Sequence, residues 1–396
     1  MKPVYIVAAV RSAIGRFGGA FKGMGPADIA APVMKAALDT SGVDGEALDF
    51  ISMGNVLRAG HGQLVPRQAA FKAGIPKSVD AQAIDMVCSS GMMAAMNGAY
   101  MIQAGDADLV LTGGTESMSS AGYVLDQGAR WGYKFLMGGG NQFQDVMFRD
   151  GLSDPETGEP MGEQTEQLAE AESVTREELD TVAEMSNRRA AEATEAGRFA
   201  DEIVGVDYRV RRDTKTLTAD EGIRAETTME SLAGLRTAFR KEGVLTAGNS
   251  SQISDGAAVL LLASEDAVKA HGLTPLAKIT GFAWAAGEPW RFPEAPVPAV
   301  KNVFKKTGLE MGDVDLVENN EAFAINSVLF NRKLGVSYDK LNVHGGAISL
   351  GHPIGCSGAR IIVTLIHALR QHDGQTGLAS ICHGTGGGTA LTLELA

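Results

Sequence analysis

Cysteine is scarce. Cys88, Cys356 and Cys382 are the only three in 396 residues. So small and odd a number cannot build a disulfide framework, and a reducing, cytoplasmic setting is expected. Positive charge is also short: 35 Lys and Arg face 48 Asp and Glu, a formal net charge of −13. That balance argues against nonspecific binding to nucleic acid or to a membrane surface, and neither partner is expected. An anionic ligand on a local basic patch stays open. Long apolar runs are missing too. The run from Val4 to Val10 stops at Arg11, too short for a signal core. The uncharged stretch from Met86 to Gly105 holds too much Ser, Gly, Asn and Gln to span a bilayer. Proline is sparse (13 residues) against 49 glycines, many of them clustered, which suggests backbone that must approach a ligand or another segment closely.

Apolar runs of strand length alternate with helical patterns. Strands are expected at Val4–Val10, Phe50–Met53 and Asp108–Gly114, the last ending in a glycine turn. Helices are expected over Asp28–Thr40, over Arg67–Ala73 and from Cys88 onward. This alternation predicts an α/β fold with a largely parallel sheet covered on both faces. Residues 121–250 read as an insertion, with helices between Thr165 and Gly197. Thr175 and Glu178 form a capping box there. Arg209, Arg211, Arg212 and Lys215 follow as a basic stretch that reads equally as a solvated hairpin, with Arg224 beyond. Asp255–Ala263 and Ala277–Phe282 resume the strand pattern, Pro298–Thr307 reads as a helix, and Asp315–Glu321 ends a strand and opens another helix. Then the first half is echoed. Gly355-Cys356-Ser357-Gly358 opens an apolar helix, and Leu378–Ile381 forms a final strand ending at Cys382 before Gly384. The same order of small residues, buried helix and strand follows Cys88, so a duplicated α/β unit is expected.

Cys88 at a helix mouth would face unpaired N–H groups and the positive end of the helix dipole, both of which favour thiolate. A packing role is the commoner one for a lone cysteine. His352 lies in the turn before the second such helix, and Cys382 ends the last strand. Strand ends and helix starts collect at one edge of such sheets, so these groups could form a nucleophile, its base and a second proton carrier. Zinc donors exist in Cys88, His352, Cys382 and His383. No Cys-x-x-Cys or His-x-x-x-His spacing accompanies them, and no metal is expected. The Gly384–Gly388 cluster leaves no room for the helix of a dinucleotide fingerprint.

Six motifs in order resemble the thiolase family, the coenzyme A-dependent acyltransferases: Val87-Cys88-Ser89-Ser90-Gly91, Gly113-Gly114-Thr115-Glu116-Ser117-Met118-Ser119, Thr246-Ala247-Gly248-Asn249-Ser250-Ser251, Asn320-Glu321-Ala322-Phe323, Gly345 through Gly355, and Cys382-x-Gly384. The resemblance spans the chain and implies two duplicated βαβαβαββ domains in a five-layer αβαβα arrangement. Their expected division is 1–120 plus 251–273, a loop domain at 121–250, and 274–396. It implies reversible Claisen condensation of acetyl-CoA with an acyl-CoA, or thiolysis of a 3-oxoacyl-CoA, through an acyl-Cys88. By the same resemblance His352 takes the Cys88 proton and Cys382 moves the α-proton. Asn320 holds a water beside His352 in one oxyanion hole, and the backbone N–H groups of Cys88 and Gly384 form the other. Arg224 and Ser231 would meet the nucleotide end of CoA, Ser251 the pantetheine arm, and Phe323 its tunnel. Coenzyme A and acyl-CoA are then substrates, with no tightly bound cofactor, and a homodimer or homotetramer is implied. There are departures: Pro160 where acetoacetyl-CoA enzymes often carry histidine, His344 in place of asparagine, His383 and Thr385 in the final glycine-rich turn, and Cys356 in place of alanine. A decarboxylating ketoacyl synthase would carry a histidine in place of Cys382. A noncatalytic acyl-CoA-binding scaffold has no need of these reactive residues.

Overall fold

The computed structural model describes residues 2–132 and 143–396, so part of the irregular 121–160 stretch lies outside the described residues. Nine strands carry the fold: β1 (Val4–Ser12), β2 (Phe50–Gly54), β3 (Asp80–Ile84), β4 (Leu109–Ser117), β5 (Ser254–Ser264), β6 (Ala277–Ala286), β7 (Leu316–Asn319), β8 (Thr376–His383) and β9 (Gly387–Leu395). They hydrogen-bond in the order β7-β8-β9-β6-β1-β5-β4-β2-β3. The β1–β6 pair at the centre is short and antiparallel, matching Val4 with Ile279 and Ile6 with Ala277. Each half reads outward from that seam in the same way. The first runs β1, β5, β4, β2, β3; the second runs β6, β9, β8, β7, then Leu341, which bridges Val317 in parallel. The third strand of the second half is thus reduced to one bridge.

The expected parallel sheet is corrected to a mixed one. Among the nine strands β2–β3, β2–β4 and β7–β8 run parallel, while β1, β5, β6 and β9 pair antiparallel with one another or with β4 and β8; the end of β1 also takes Ile203–Val204 in parallel. The cause lies in β5 and β9: β9 doubles back beside β8 through a tight turn, and β5 returns beside β4 from the far end of the inserted segment, so both pair antiparallel. The strand β9 also corrects the expectation that Cys382 ends the last strand. Its Thr389-Ala390-Leu391-Thr392-Leu393 run has no clean period-two alternation, because the strand is buried on both faces from Gly387 to Leu393.

Six helices flank these strands: α1 (Pro26–Ser41), α2 (Val65–Lys72), α3 (Ser90–Ala104), α4 (Pro296–Thr307), α5 (Ala324–Leu334) and α6 (Ile354–Gln371). Helices α1 and α2 cover the outer face of the first half, burying Ile29, Val33, Met34 and Ala69 against Val7, Ile51 and Leu261. Helix α4 covers the second, where Val300 and Val303 meet Ala283 and Leu378. Between the two halves lie α3 and α6, uncharged along almost their whole buried length. Met92, Met96, Ile361 and Leu365 join side chains from both halves there. These are five layers, helix, sheet, helix, sheet, helix. The insertion adds helices Met161–Ala171 and Arg176–Glu195, whose Leu168, Leu179 and Val182 pack on Ile325, Val328 and Ile348. The Thr175–Glu178 capping box forms as expected.

Backbone crowding at the α3–α6 crossing decides where the site can lie. A Cβ on Gly358 would stand 2.4 Å from the Met92 nitrogen, and one on Gly114 would stand 2.0 Å from the Gly355 carbonyl oxygen. Gly113 and Gly114 therefore do not form the expected turn. They lie within β4, buried, where the start of α6 presses on the strand. The N-terminal ends of α3 and α6 are brought together with nothing between them.

Candidate active site

Cys88 stands two residues ahead of α3, in a bend rather than at the first helical turn. The preceding Val87 has a φ of +48°, a strained value for a β-branched residue. Ser90 pins the bend, its hydroxyl accepting from the Met86 N–H (2.8 Å) and donating to the Val87 carbonyl (2.6 Å). The Cys88 sulfur lies close to the end of β8, where the Gly384 N–H and its own backbone N–H favour its charged form. Burial and the neighbouring Cys382 push this thiol up, well beyond the usual cysteine range, and those two N–H groups oppose the rise without cancelling it. This corrects the expectation of a thiolate favoured by the helix end: removal from water outweighs the dipole. Burial thus keeps Cys88 as a thiol.

His352 lies in the turn before α6, its backbone N–H bonded to the Gln252 carbonyl at 3.0 Å. Burial and the Arg360 charge hold it neutral, down to about 3. Its Nδ1 is 2.6 Å from the Ser357 hydroxyl, which in turn donates to the Pro353 carbonyl at 2.9 Å. With its only proton given to Pro353, Ser357 accepts from Nδ1–H, which leaves Nε2 with its lone pair. Asn320 follows β7, its Nδ2 3.5 Å from the imidazole and its Oδ1 3.5 Å from the Arg360 guanidinium. Arg360 pairs with Glu318 at 3.2 Å and so fixes which way the Asn320 amide points.

Cys382, fully buried at the end of β8, packs with Met161, Phe292, Ala322 and Phe323. Burial drives its thiol to about 12, against a hydrogen bond from the Asn326 amide at 3.3 Å. Gly384 lies just beyond. A Cβ there would come 3.3 Å from the end of the Met161 side chain, so glycine keeps the backbone close without strong obstruction.

The outer residues fall on two surfaces. Arg224 and Ser231 line one groove with Asn187, Ala247, Gly248 and Gln252. Gln252 also accepts the His352 N–H, so the groove leads to the histidine turn. The Ser231 hydroxyl is committed locally, donating to the Thr228 carbonyl at 2.8 Å. Ser251 donates its N–H to the Ala322 carbonyl, and its neighbour Ser250 bridges Phe323. Phe323 meets Phe239 and Phe292 edge-on, with ring centres 6.1 and 6.2 Å apart. Arg209, Arg211, Arg212 and Lys215 do not join the groove residues; they lie on the exposed hairpin formed by Val206–Val210 and Asp213–Leu217.

Four neighbours escaped sequence reasoning. Ser357 and Asn326 lie within one or two turns of His352 and Asn320, but no spacing rule marks them. Arg360 reads as an ordinary helical arginine until its burial is seen. Glu116, inside a motif, collects N–H groups from Val56, Leu57, Gly355 and Asn55 and braces the start of α6.

Duplicated α/β halves with two buried cysteines and a neutral histidine at their shared edge define a class of acyl-transferring enzymes. The family model described as the thiolase N-terminal domain matches residues 4–266, and that of the thiolase C-terminal domain matches 273–395. The chain belongs to the thiolase family. It is an acyltransferase that condenses acetyl-CoA with an acyl-CoA through an acyl-cysteine intermediate and, in reverse, thiolyses a 3-oxoacyl-CoA. An acetyl-CoA acetyltransferase of Synechocystis sp. is 58% identical over 394 residues, covering all of both chains, and one of Escherichia coli is 44% identical over 100% of this chain and 99% of its own. Two solved structures superpose with a TM-score of 0.96 over the whole chain and 99% of their own. They are the Bacillus anthracis acetyl-CoA acetyltransferase at 42% identity and human mitochondrial 3-ketoacyl-CoA thiolase at 38%.

Proposed function

We propose that this chain is an acetyl-CoA acetyltransferase or 3-oxoacyl-CoA thiolase in which Cys88 carries the acyl group, His352 is its base and Cys382 is the second proton carrier. The observation that carries the reading is the buried His352 imidazole, its Nδ1 2.6 Å from the Ser357 hydroxyl and its ring 3.5 Å from the Asn320 amide. Cys88 Sγ bonds to the thioester carbon as its proton passes to His352 Nε2. The carbonyl bond pair shifts to oxygen, then returns as the CoA sulfur leaves with that proton. In the second half Cys382, as thiolate, takes the α-proton of acetyl-CoA. The resulting enolate carbon bonds to the acyl carbon as the Cys88–acyl bond breaks, and the proton held by Cys382 passes back to neutralise the departing Cys88 thiolate. Each half places charge on a thioester oxygen, which calls for waiting donors. The N–H groups of Cys88 and Gly384 serve one oxyanion, and His352 with a water on Asn320 serves the other.

Coenzyme A lies in the groove of Arg224 and Ser231, with its arm passing Ser251 and Phe323. It comes as a substrate, and no resident cofactor takes part. No group of three or more His, Cys, Asp or Glu among the described residues could hold a metal ion, and no helix there is long and apolar enough to cross a membrane. The working setting is cytoplasmic, and the assembly is a homodimer or homotetramer. The chain divides at 1–120 plus 251–273, 121–250 and 274–396. The test is a pair of variants followed by intact mass and product formation. Cys88→Ala shows no acetyl adduct, whereas Cys382→Ala acquires the adduct and makes no 3-oxoacyl-CoA. Normal turnover by Cys382→Ala would remove it from the mechanism.

A further inference from the structure

We propose that Asn326 is a further catalytic residue, whose side-chain amide donates a hydrogen bond to Cys382 Sγ and stabilises the thiolate form in which that sulfur removes the α-proton. The proposal rests on the reading of Cys382 as proton carrier. Asn326 sits in the first turn of α5, six residues beyond Asn320, and is 1% exposed. Its amide orientation follows from its neighbours. The oxygen accepts the Phe323 N–H at 2.9 Å, and the nitrogen donates to the Pro293 carbonyl at 2.8 Å. Pro293 can only accept and the Phe323 N–H can only donate, so turning the amide over would break both bonds. The second N–H of the same nitrogen is therefore directed at Cys382 Sγ, 3.3 Å away.

This matters because the sulfur is otherwise in apolar company. Met161, Phe292, Ala322 and the half-buried Phe323 surround it. Such surroundings favour the neutral thiol, whereas abstraction of an α-proton requires the anion. A hydrogen bond to a charged acceptor is stronger than one to a neutral acceptor, so the Asn326 donor stabilises thiolate over thiol. In the transfer the α-proton passes to Cys382 Sγ. The C–H pair becomes the enolate, and Asn326 keeps both its protons. The same N–H then faces a neutral thiol, a weaker acceptor, which favours return of the proton in the thiolysis direction.

The experiment measures two half-reactions across pH in the full-length enzyme. Acetylation of Cys88 is read by intact mass, and exchange of the acetyl-CoA methyl protons in deuterium oxide is read by NMR. Asn326→Ser keeps an oxygen for the Phe323 N–H but removes the donor to sulfur; Asn326→Gln supplies a donor on a longer arm. Asn326→Ser is expected to slow exchange about 10- to 100-fold near neutral pH, with its pH profile moved about one to two units alkaline. Its Cys88 acetylation stays at the wild-type rate, which shows a folded first half-site, and Asn326→Gln recovers part of the exchange. Exchange in Asn326→Ser with an unmoved pH profile overturns the proposal, as does loss of both half-reactions in step. Cys382→Ala run alongside separates the two readings. If it still exchanges, Cys382 is not the proton carrier and the role of Asn326 falls with it; if it is silent, the Asn326 result stands by itself.

Discussion

Removing the Ser357 hydroxyl should disable the base without touching the nucleophile. Ser357 Oγ stands 2.6 Å from His352 Nδ1 in a site where His352 is 6% exposed, so no bulk water can replace it. In Ser357→Ala the Nδ1–H has no acceptor, and a buried unpaired donor costs about 1–3 kcal/mol. The imidazole avoids this by moving its proton to Nε2, which removes the lone pair that must take the Cys88 proton. Restoring the productive tautomer costs the same amount, so acetylation should slow about 5- to 150-fold. The assay is rapid quench with acetyl-CoA followed by intact mass of the Cys88 adduct. The burst rate is expected to fall while the final adduct stoichiometry is unchanged, because the nucleophile itself is intact. Exchange of α-protons at Cys382 should fall far less, since Ser357 does not touch that sulfur. A Ser357→Ala burst within twofold of wild type, in a protein of unchanged melting temperature, would refute the tautomer argument.

Two further outcomes can be checked. Arg224 is exposed and makes no ion pair among the described residues, so Arg224→Ala should raise KM for CoA substrates about three- to tenfold, with kcat nearly unchanged. Steady-state kinetics with a truncated pantetheine thioester, which lacks the nucleotide end, should show no difference. The second concerns acid stability. His344 is 4% exposed, with its Nε2 3.1 Å from His372 Nε2, and burial together with His372 and Arg198 lowers it to about 4. The unfolded chain then binds more protons than the folded one between about pH 6.5 and 4, so stability falls as pH drops through that window. At pH 5 the His344 contribution to this loss is about 2 kcal/mol. Denaturant melts at pH 7.5 and pH 5 should show a smaller loss for His344→Asn than for wild type; equal losses would exclude His344 as the source.

Several site residues were readable because their neighbours in sequence are also their neighbours in space. Val87 through Gly91 make the bend that aims Cys88, and Asn320 through Phe323 make the turn between β7 and α5. Serine and glycine beside a reactive side chain betray a place where backbone must come close, and the apolar stretches behind them have to become buried helices. The duplication was legible for the same reason, as a recurring order of small residues, apolar helix and strand. Sheet direction was not, because a strand of Val, Leu and Ala reads alike whichever neighbour it takes. Gly113 and Gly114 suggested a turn, since glycine is read locally as flexibility; in the fold they make room for the Gly355 carbonyl.

The chain by itself determined the reactive groups, the two-fold repetition of the α/β unit and the apolar character of α3 and α6. Those properties follow from side-chain chemistry and short-range periodicity, which need no knowledge of the partner surface. The state of each reactive group was decided only on folding. Whether Cys88 rests as thiol or thiolate depends on how much water the surrounding layers exclude, and here burial outweighs the helix end. Which nitrogen of His352 is free depends on Ser357, and the side-chain amide that donates to Cys382 belongs to Asn326, 56 residues away in the chain. Proton affinity is a property of surroundings assembled from distant segments, so it exists only once those segments have met.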